Sequence, residues 1–320
     1  MEIFKRIQPT VVTIFVTENI ETPSGSASRK GVGAGVLVAP SCQVLTAAHV
    51  VEQADEILVE TADGQRRPAE VVFSQARADI ALLKLKTFDP DLLHATLGDS
   101  DRLAVGQRTF VVGAPAGLEN SFSVGHISGF REFDRLHDGS VLAEFIQTDA
   151  AINSGSSGGP VFDSKGEVIG ISSRILSHSG GFEGLGFVVA INTAKQLLAQ
   201  EDHPWVGIDV LFLNREGLAR LLNQDLDGGL LVLSVAKGSP AERAGLKGGW
   251  LPVEFLGQDV LLGGDLIIEF NDQEACHSEC LIKAGERLGS VDKIPVTYIR
   301  GGVIPHATID VSQHRRNLIE

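Results

Sequence analysis

The chain has 320 residues, which is long enough for two domains of ordinary size. Hydrophobic residues make up 43% of it and charged residues 21%, so its composition is that of a folded globular protein and excludes a disordered chain. The 41 acidic and 27 basic side chains give a net charge of −14. This charge repels phosphate backbones and anionic lipid, and the sequence therefore predicts no nucleic-acid partner.

The amino-terminal stretch lacks the pattern of a leader. It reads "MEIFKRIQPTVVTIFVTENI", with an acidic residue at Glu2, a short apolar run and no small-residue cleavage site. No run of about 18 apolar residues follows, so no transmembrane segment is predicted. The three cysteines, Cys42, Cys276 and Cys280, are an odd number and do not suggest a disulfide framework.

Short β-type runs separated by glycine fill the chain from about residue 10 to 195. In chain order they include "VVTIFV", "GAGVLVA", "QVLTAA", "EILVE", "AEVVF", "IALLKL", "RTFVVG", "SVGHISGF", "EVIGISS" and "GLGFVVA". Many short strands at such spacing are typical of a β-barrel or sandwich. A helix with an Asn cap, "NTAKQLLAQED", is predicted to close this half.

The pattern changes after Pro204. Helices are predicted at "NREGLARLLNQ" and "SECLIKAGERLG", and strands at "GGLLVLSVA", "DLIIEF", "IPVTYIR" and "HATIDV". These elements indicate a small α+β domain of roughly a hundred residues. The predicted domains are therefore 1–200 and 201–312, followed by an unpacked tail at 313–320.

A glycine turn between two strand-like runs, "TDAAINSGSSGGPVF", contains three serines. Gly-Ser strings are usually flexible loops, but a tight turn between strands can aim backbone amides at one point. His49 follows an apolar strand in "VLTAAHVV", and Asp79 precedes the apolar run "IALLKL". A core histidine and a turn-capping aspartate are the alternative interpretations.

The chain order of these residues is His49, Asp79 and then serine. An α/β-hydrolase presents its serine first, so the match of "GSSGG" to G-x-S-x-G is rejected, and the order is that of trypsin-like double barrels. Together "TAAHVV", "ADIALLKL", "GAPAGL" and "TDAAINSGSSGGPVF" resemble the HtrA/Deg family of serine proteases, and the resemblance covers nearly the whole chain. It implies a mostly β fold, with a trypsin-like double β-barrel protease domain followed by a small α+β PDZ domain.

The resemblance also implies roles at the turn. Ser157, immediately before "GGP", is the nucleophile, His49 the base, and Asp79 the residue that orients His49. The N–H groups of Gly155 and Ser157 form the oxyanion hole. Ser156 stands where the family usually has Asn, and its small side chain predicts a less restrained loop.

The specificity pocket is predicted to be aliphatic. Ala151 lies six positions before the nucleophile, where a preference for basic residues requires aspartate. Ile152, Ile175 and Leu176 match the positions that line the family's pocket. A charged substrate side chain would be buried there without a partner, so we expect small or medium aliphatic residues to be preferred.

Two polar loops, "REFDRLHDGS" and "SHSGGFEG", match segments that control activity in the family, although ordinary solvated loops would read the same way. Arg131 and Arg135 are both candidates for the residue that senses activation.

In the second half, "HPWVGIDV" resembles the start of a PDZ domain. The PDZ resemblance makes Val206, Gly207 and Ile208 the loop that holds a peptide carboxylate. The helix around 280–284 is then the far wall of the groove. The segment Trp250 to Leu262 is longer than a minimal PDZ domain needs.

No metal or cofactor is predicted. Cys276, His277 and Cys280 could ligate zinc, but no second ligand pair is nearby, and packed or exposed thiols explain them as well. The sequence therefore predicts an ATP-independent serine endopeptidase that degrades unfolded or misfolded polypeptides. The alternative is a peptide-binding, chaperone-like scaffold with an idle protease fold. The resemblance implies a homotrimer or a multiple of trimers in the cell envelope or periplasm, with the cytoplasm left open.

Overall fold

The computed structural model describes residues 2–22, 25–114, 121–135, 141–177, 179, 181–199, 204–255, 258–275, 288 and 291–312. The chain divides into two compact units, and the boundary follows Ala199. No helix in these ranges is both long and apolar enough to cross a bilayer.

The first unit begins with helix α1 at Glu2–Ile7 and a 3-10 turn at Gln8–Thr10. A closed six-stranded barrel follows, with its strands joined in the order β1-β2-β3-β6-β5-β4. Their bounds are β1 Val11–Thr22, β2 Gly25–Ala39, β3 Gln43–Thr46, β4 Glu56–Glu60, β5 Arg66–Gln75 and β6 Ile80–Leu85. A single turn of helix, α2 at Ala48–Val51, leaves the barrel directly after β3.

A second closed barrel follows in the same unit, with the order β10-β11-β12-β9-β8-β7. Its strands are β7 Arg108–Gly113, β8 Ser121–Arg135, β9 Val141–Thr148, β10 Pro160–Phe162, β11 Val168–Ile175 and β12 Gly186–Ala190. Helix α3 at Ile191–Leu198 closes the unit, and its N-cap is Ala190. The predicted cap, Asn192, lies inside the helix instead, and its side-chain amide donates to Asp99 Oδ1 at 2.8 Å.

Apolar side chains from both barrels meet in one buried cluster, because every strand turns alternate residues inward. Members of the cluster from the first barrel include Val36, Leu45, Ile80 and Leu82, and those from the second include Val112, Phe145, Phe162 and Ile171. The predicted mostly β fold with a trypsin-like double barrel is thereby confirmed.

The second unit contains an antiparallel sheet in the order β13-β14-β17-β19-β20, with β18 paired to β17. The strands are β13 Ile208–Asn214, β14 Gly228–Val235, β17 Leu266–Phe270, β18 Gln273–Glu274, β19 Lys293–Ile299 and β20 His306–Asp310. Two helices accompany them, α4 at Arg215–Leu222 and α5 at Pro240–Arg243. The other helix predicted for this half and the tail at 313–320 lie outside the described residues.

The extra segment of this unit forms a hairpin of β15 Leu251–Phe255 and β16 Gln258–Leu262. Val253, Val260 and Leu262 join an apolar cluster with residues of the main sheet. Trp250, at the base of the hairpin, is 74% exposed. One face of the hairpin is therefore packed against the main sheet, and Trp250 beside it is largely exposed.

Candidate active site

His49 and Asp79 are brought together by two turns of the first barrel. His49 lies in α2, and Asp79 occupies the turn before β6 with a φ of 54°. The ring Nδ1 of His49 lies 2.9 Å from Asp79 Oδ1 and 3.0 Å from Oδ2, and the backbone N–H of His49 donates to Oδ1 at 3.1 Å. Asp79 is an acceptor, so Nδ1 carries the proton and Nε2 is left free to accept one.

Burial and neighbouring charges shift the pKa of His49 in opposite directions. Loss of hydration lowers its pKa, but the hydrogen bond and charge of Asp79, with the charge of Glu52, raise it above the usual 6.5. Asp79 therefore both fixes the tautomer of the imidazole and favours its protonated form.

Ser157 lies on a turn that is in close contact with the first barrel. The carbonyl of Ser157 accepts a hydrogen bond from the N–H of Ala34 in β2 at 2.8 Å. Gly158 has a φ of 80°, and a Cβ there would lie 2.1 Å from Thr46 Oγ1 and 2.4 Å from the carbonyl of Ala34. Only glycine fits at this position, because a side chain would collide with the first barrel and strain the backbone.

The turn is also bonded to β11. The N–H of Gly158 donates to the carbonyl of Ser172 at 2.7 Å, and Ser172 Oγ donates to the carbonyls of Ser156 and Gly159 at 2.5 and 3.0 Å. Ser156 itself is buried. The turn is thus more restrained than its small side chain at Ser156 predicts, since backbone groups and Ser172 hold it.

Two backbone donors flank the candidate nucleophile. Within the described residues, the N–H groups of Gly155 and Ser157 have no hydrogen-bond partner, whereas the carbonyl of Gly155 accepts from Ala114 N–H at 3.2 Å. His49, Ser154, Gly155 and Ser157 line one cavity of about 280 Å³. No hydrogen bond in the described part of the chain joins His49 to Ser157; such bonds commonly form only when substrate is bound.

Ser173 is a member of the site that the sequence did not single out. Its Oγ donates a hydrogen bond to Asp79 Oδ2, which links β11 of the second barrel to the first. Ser173 is only 5% exposed. The signal in the sequence is a polar residue on a buried strand, but Ser172 beside it looks the same.

The four predicted specificity residues lie in different environments. Ile152 is buried in the second barrel, and Ile175 packs against the same cluster. Ala151 is exposed, and its carbonyl accepts from Ser123 Oγ at 2.8 Å. Leu176 is 57% exposed, so a substrate could cover it.

Arg131, one of the two sensor candidates, does not line the catalytic cavity. Arg131 Nη1 donates to the carbonyl of Phe130 at 2.7 Å, and both residues line a different cavity of about 640 Å³. Arg135 ends β8, and its side chain lies outside the described residues, as does much of the loop that follows it.

In the second unit, the predicted carboxylate loop leads into β13. The carbonyl of Val206 accepts from Ala241 N–H at 3.1 Å, and that of Gly207 accepts from Ala236 N–H at 2.9 Å. Both carbonyls are therefore occupied by hydrogen bonds within the second unit. The far wall at 280–284 and the candidate ligands Cys276, His277 and Cys280 lie outside the described residues; no three possible metal ligands cluster among those described.

Comparison with known proteins bears on this geometry. A model of the trypsin-like peptidase domain matches residues 33–171. A probable periplasmic serine endoprotease DegP-like from Halomonas elongata is 36% identical over 293 residues, which are 89% of this chain and 57% of that protein. The chain belongs to the HtrA/Deg family of serine proteases.

A second relative and a solved structure are also similar to this chain. A relative of the same description from Pseudomonas putida (strain GB-1) is 37% identical over 253 residues, covering 77% of this chain and 52% of the relative. The chain thus spans little more than half the length of these curated relatives. A solved structure, "HtrA-type protease AlgWS227A with decapeptide", matches 97% of this chain and 96% of its own with a TM-score of 0.57 and 28% identity.

Proposed function

We propose that the chain is a serine endopeptidase that cleaves unfolded or misfolded polypeptides without ATP, through an acyl-enzyme. The observation that carries the proposal is the shared cavity of His49 and Ser157, with His49 bonded to Asp79 and with two unpaired amides beside the serine. These are the groups that acyl transfer requires: a nucleophile, an oriented base and donors for the oxyanion.

In the proposed reaction Ser157 Oγ attacks the substrate carbonyl carbon while its proton passes to His49 Nε2. The negative charge on the carbonyl oxygen is met by the N–H groups of Gly155 and Ser157, each of which contributes about 2.7–4 kcal/mol in such sites. His49 then protonates the leaving amine, and the C–N bond breaks. Water, deprotonated by His49, releases the acyl group and restores Ser157.

The test is covalent labelling with an organophosphonate. We expect wild-type protein to be labelled at Ser157 and to digest unfolded casein, and Ser157→Ala to do neither while remaining folded. Ser156→Ala is the matched control and should retain activity. Inactivation by Ser156→Ala in place of Ser157→Ala would show that the nucleophile is misassigned, and intact binding of unfolded chains without labelling would favour the chaperone-like scaffold.

We propose that the active site accepts aliphatic residues before the scissile bond. The support is the aliphatic character of Ile152, Ile175 and Leu176 and the absence of a carboxylate at Ala151. Product termini mapped by mass spectrometry should be enriched in Val, Ala, Ile or Leu. Predominant cleavage after Lys or Arg would contradict the assignment.

The second unit is proposed to be a PDZ domain that binds peptide C-termini at Val206 to Ile208 and regulates cleavage. Its support is the sequence resemblance together with the antiparallel sheet and the hydrogen bonds that occupy the carbonyls of Val206 and Gly207. A peptide ending in an apolar residue, added in trans, should speed hydrolysis of a short reporter, and amidation of its carboxylate should abolish the effect. An unchanged rate at saturating peptide would reduce the unit to a tether.

Location and assembly complete the proposal. The matched relatives are described as periplasmic, and we propose the cell envelope or periplasm for this protein. Assembly into trimers, or multiples of trimers, rests on the family resemblance, and light scattering on the full chain tests it.

A further inference from the structure

The catalytic cavity extends away from the second barrel onto two strands of the first. Beyond His49 and Ser157 it is lined by Val16 of β1 and by Gly31 and Val50. These residues are not part of the proposed aliphatic pocket, which is built from the second barrel. The cavity therefore has a side that the proposed function leaves without a role.

Two valines fill the space that two glycines of β2 leave open. A Cβ on Gly33 would lie 2.5 Å from Val50 Cγ1 and 3.2 Å from the carbonyl of Ser157. A Cβ on Gly31 would lie 2.8 Å from Val16 Cγ2. Val50 and Val16 therefore lie close over β2, and they form an apolar wall that begins beside the nucleophile.

Charged side chains mark the outer end of this wall. Glu18 and Arg29 line the same cavity and are paired across β1 and β2, two residues beyond the pair Val16 and Gly31. Two residues along a strand span about 7 Å, so Arg29 lies about 14 Å along β2 from Gly33. An extended peptide would cover that length with about four residues, of which only those nearest the nucleophile meet the apolar wall.

The side of the cavity identifies what it would bind. In the proposed reaction His49 protonates the leaving amine, so the residues after the scissile bond must lie on the side of His49, which is the first barrel. This step rests on the proposed function. From this geometry we infer that Val16 and Val50 form a leaving-group subsite that selects an aliphatic side chain at the first two positions after the scissile bond.

Two kinds of substrate distinguish an effect on this subsite from an effect on the catalytic residues. The first is a pair of internally quenched peptides that are identical up to the scissile bond and continue with Val-Ile or with Ser-Asn. The second is an acyl ester with a small alcohol leaving group, which has no residues after the reacting bond. We expect wild-type protein to cleave the Val-Ile peptide about tenfold faster than the Ser-Asn peptide, the discrimination typical of a few methylene contacts.

Val16→Thr replaces one methyl group with a hydroxyl of similar size, so it tests polarity without opening a cavity. The preference for Val-Ile should fall to about twofold or less, while ester hydrolysis stays within about twofold of wild type. Val124→Thr is the matched control, because Val124 is an exposed valine of the second barrel that does not line this cavity, and it should retain the preference.

Several results would overturn the inference. One is equal cleavage of the two peptides by wild-type protein that the organophosphonate does label, which would leave the proposed function standing. Another is a fall in ester hydrolysis by Val16→Thr as large as the fall on Val-Ile peptide, because that would place Val16 in the catalytic machinery. Absence of labelling in wild-type protein would instead overturn the proposed function and the subsite with it.

Discussion

Replacing Asp79 with Asn should change rate and pH dependence in separate ways. The carboxamide can donate a hydrogen bond to Nδ1 of His49, which places the imidazole proton on Nε2, where it cannot accept the proton of Ser157. A triad with this tautomer loses about 10⁴ in kcat, the figure measured for such a substitution in another enzyme. At about 1.36 kcal/mol per tenfold, the barrier rises by about 5 kcal/mol.

The pKa of His49 should fall in the same variant. Burial is the largest influence on it and lowers it, while Asp79 supplies the main influences that raise it above 6.5. Without Asp79 only the weaker charge of Glu52 opposes burial, so the pKa moves below 6.5. The acidic limb of kcat/KM, which reports loss of the neutral base, therefore moves to lower pH although the plateau is far lower.

The assay is kcat/KM for a chromogenic peptide ester measured between about pH 5 and 9. Glu52→Gln is the matched control, because it removes a charge near His49 and no hydrogen bond to the ring. Glu52→Gln should move the acidic limb of kcat/KM slightly to lower pH and leave the plateau value of kcat/KM unchanged. A plateau for Asp79→Asn within tenfold of wild type, or an acidic limb that stays in place, would refute this account of Asp79.

Three further substitutions test the packing around the site and in the second unit. Ser173→Ala removes a hydrogen bond to the Asp79 carboxylate, and kcat/KM should fall about 10- to 100-fold, as expected for bonds to charged groups; an unchanged value would make Ser173 dispensable. Gly158→Ala should reduce phosphonate labelling at least about 100-fold, because the added methyl group displaces Ser157. Gly64→Ala is the control: its φ of 74° and open surroundings should cost only about 1–2 kcal/mol of unfolding free energy and leave labelling unchanged. Asp265→Ala breaks the ion pair in which Arg300 Nε and Nη2 each lie 2.6 Å from the carboxylate. Because water can reach the guanidinium that is left, urea unfolding should register a loss of about 1.5–3 kcal/mol, and a loss below about 1 kcal/mol would contradict this.

The strands and the chain order of the triad could be predicted because both depend on local pattern. Alternating apolar runs mark strands wherever one face is buried, and the turn around Ser157 stands out by its glycines. Ser173 could not be found in this way, since its role depends on a contact with Asp79 far away in the chain. The predicted N-cap of α3, Asn192, is wrong by two residues, because Ala190 ends β12 and the helix begins immediately after it. The roles of the triad itself stay predictions.

The hydrogen bonds from Ser173 to Asp79 and from Ala34 to Ser157 both run between the barrels. His49 and Asp79 belong to one barrel and Ser157 to the other, so on the proposed function neither barrel carries a working site by itself. On that function, a chain in which the two barrels are not docked would not cleave other polypeptides. Any loosening of the interface between the barrels would in the same way separate His49 and Asp79 from Ser157 and lower the proposed activity.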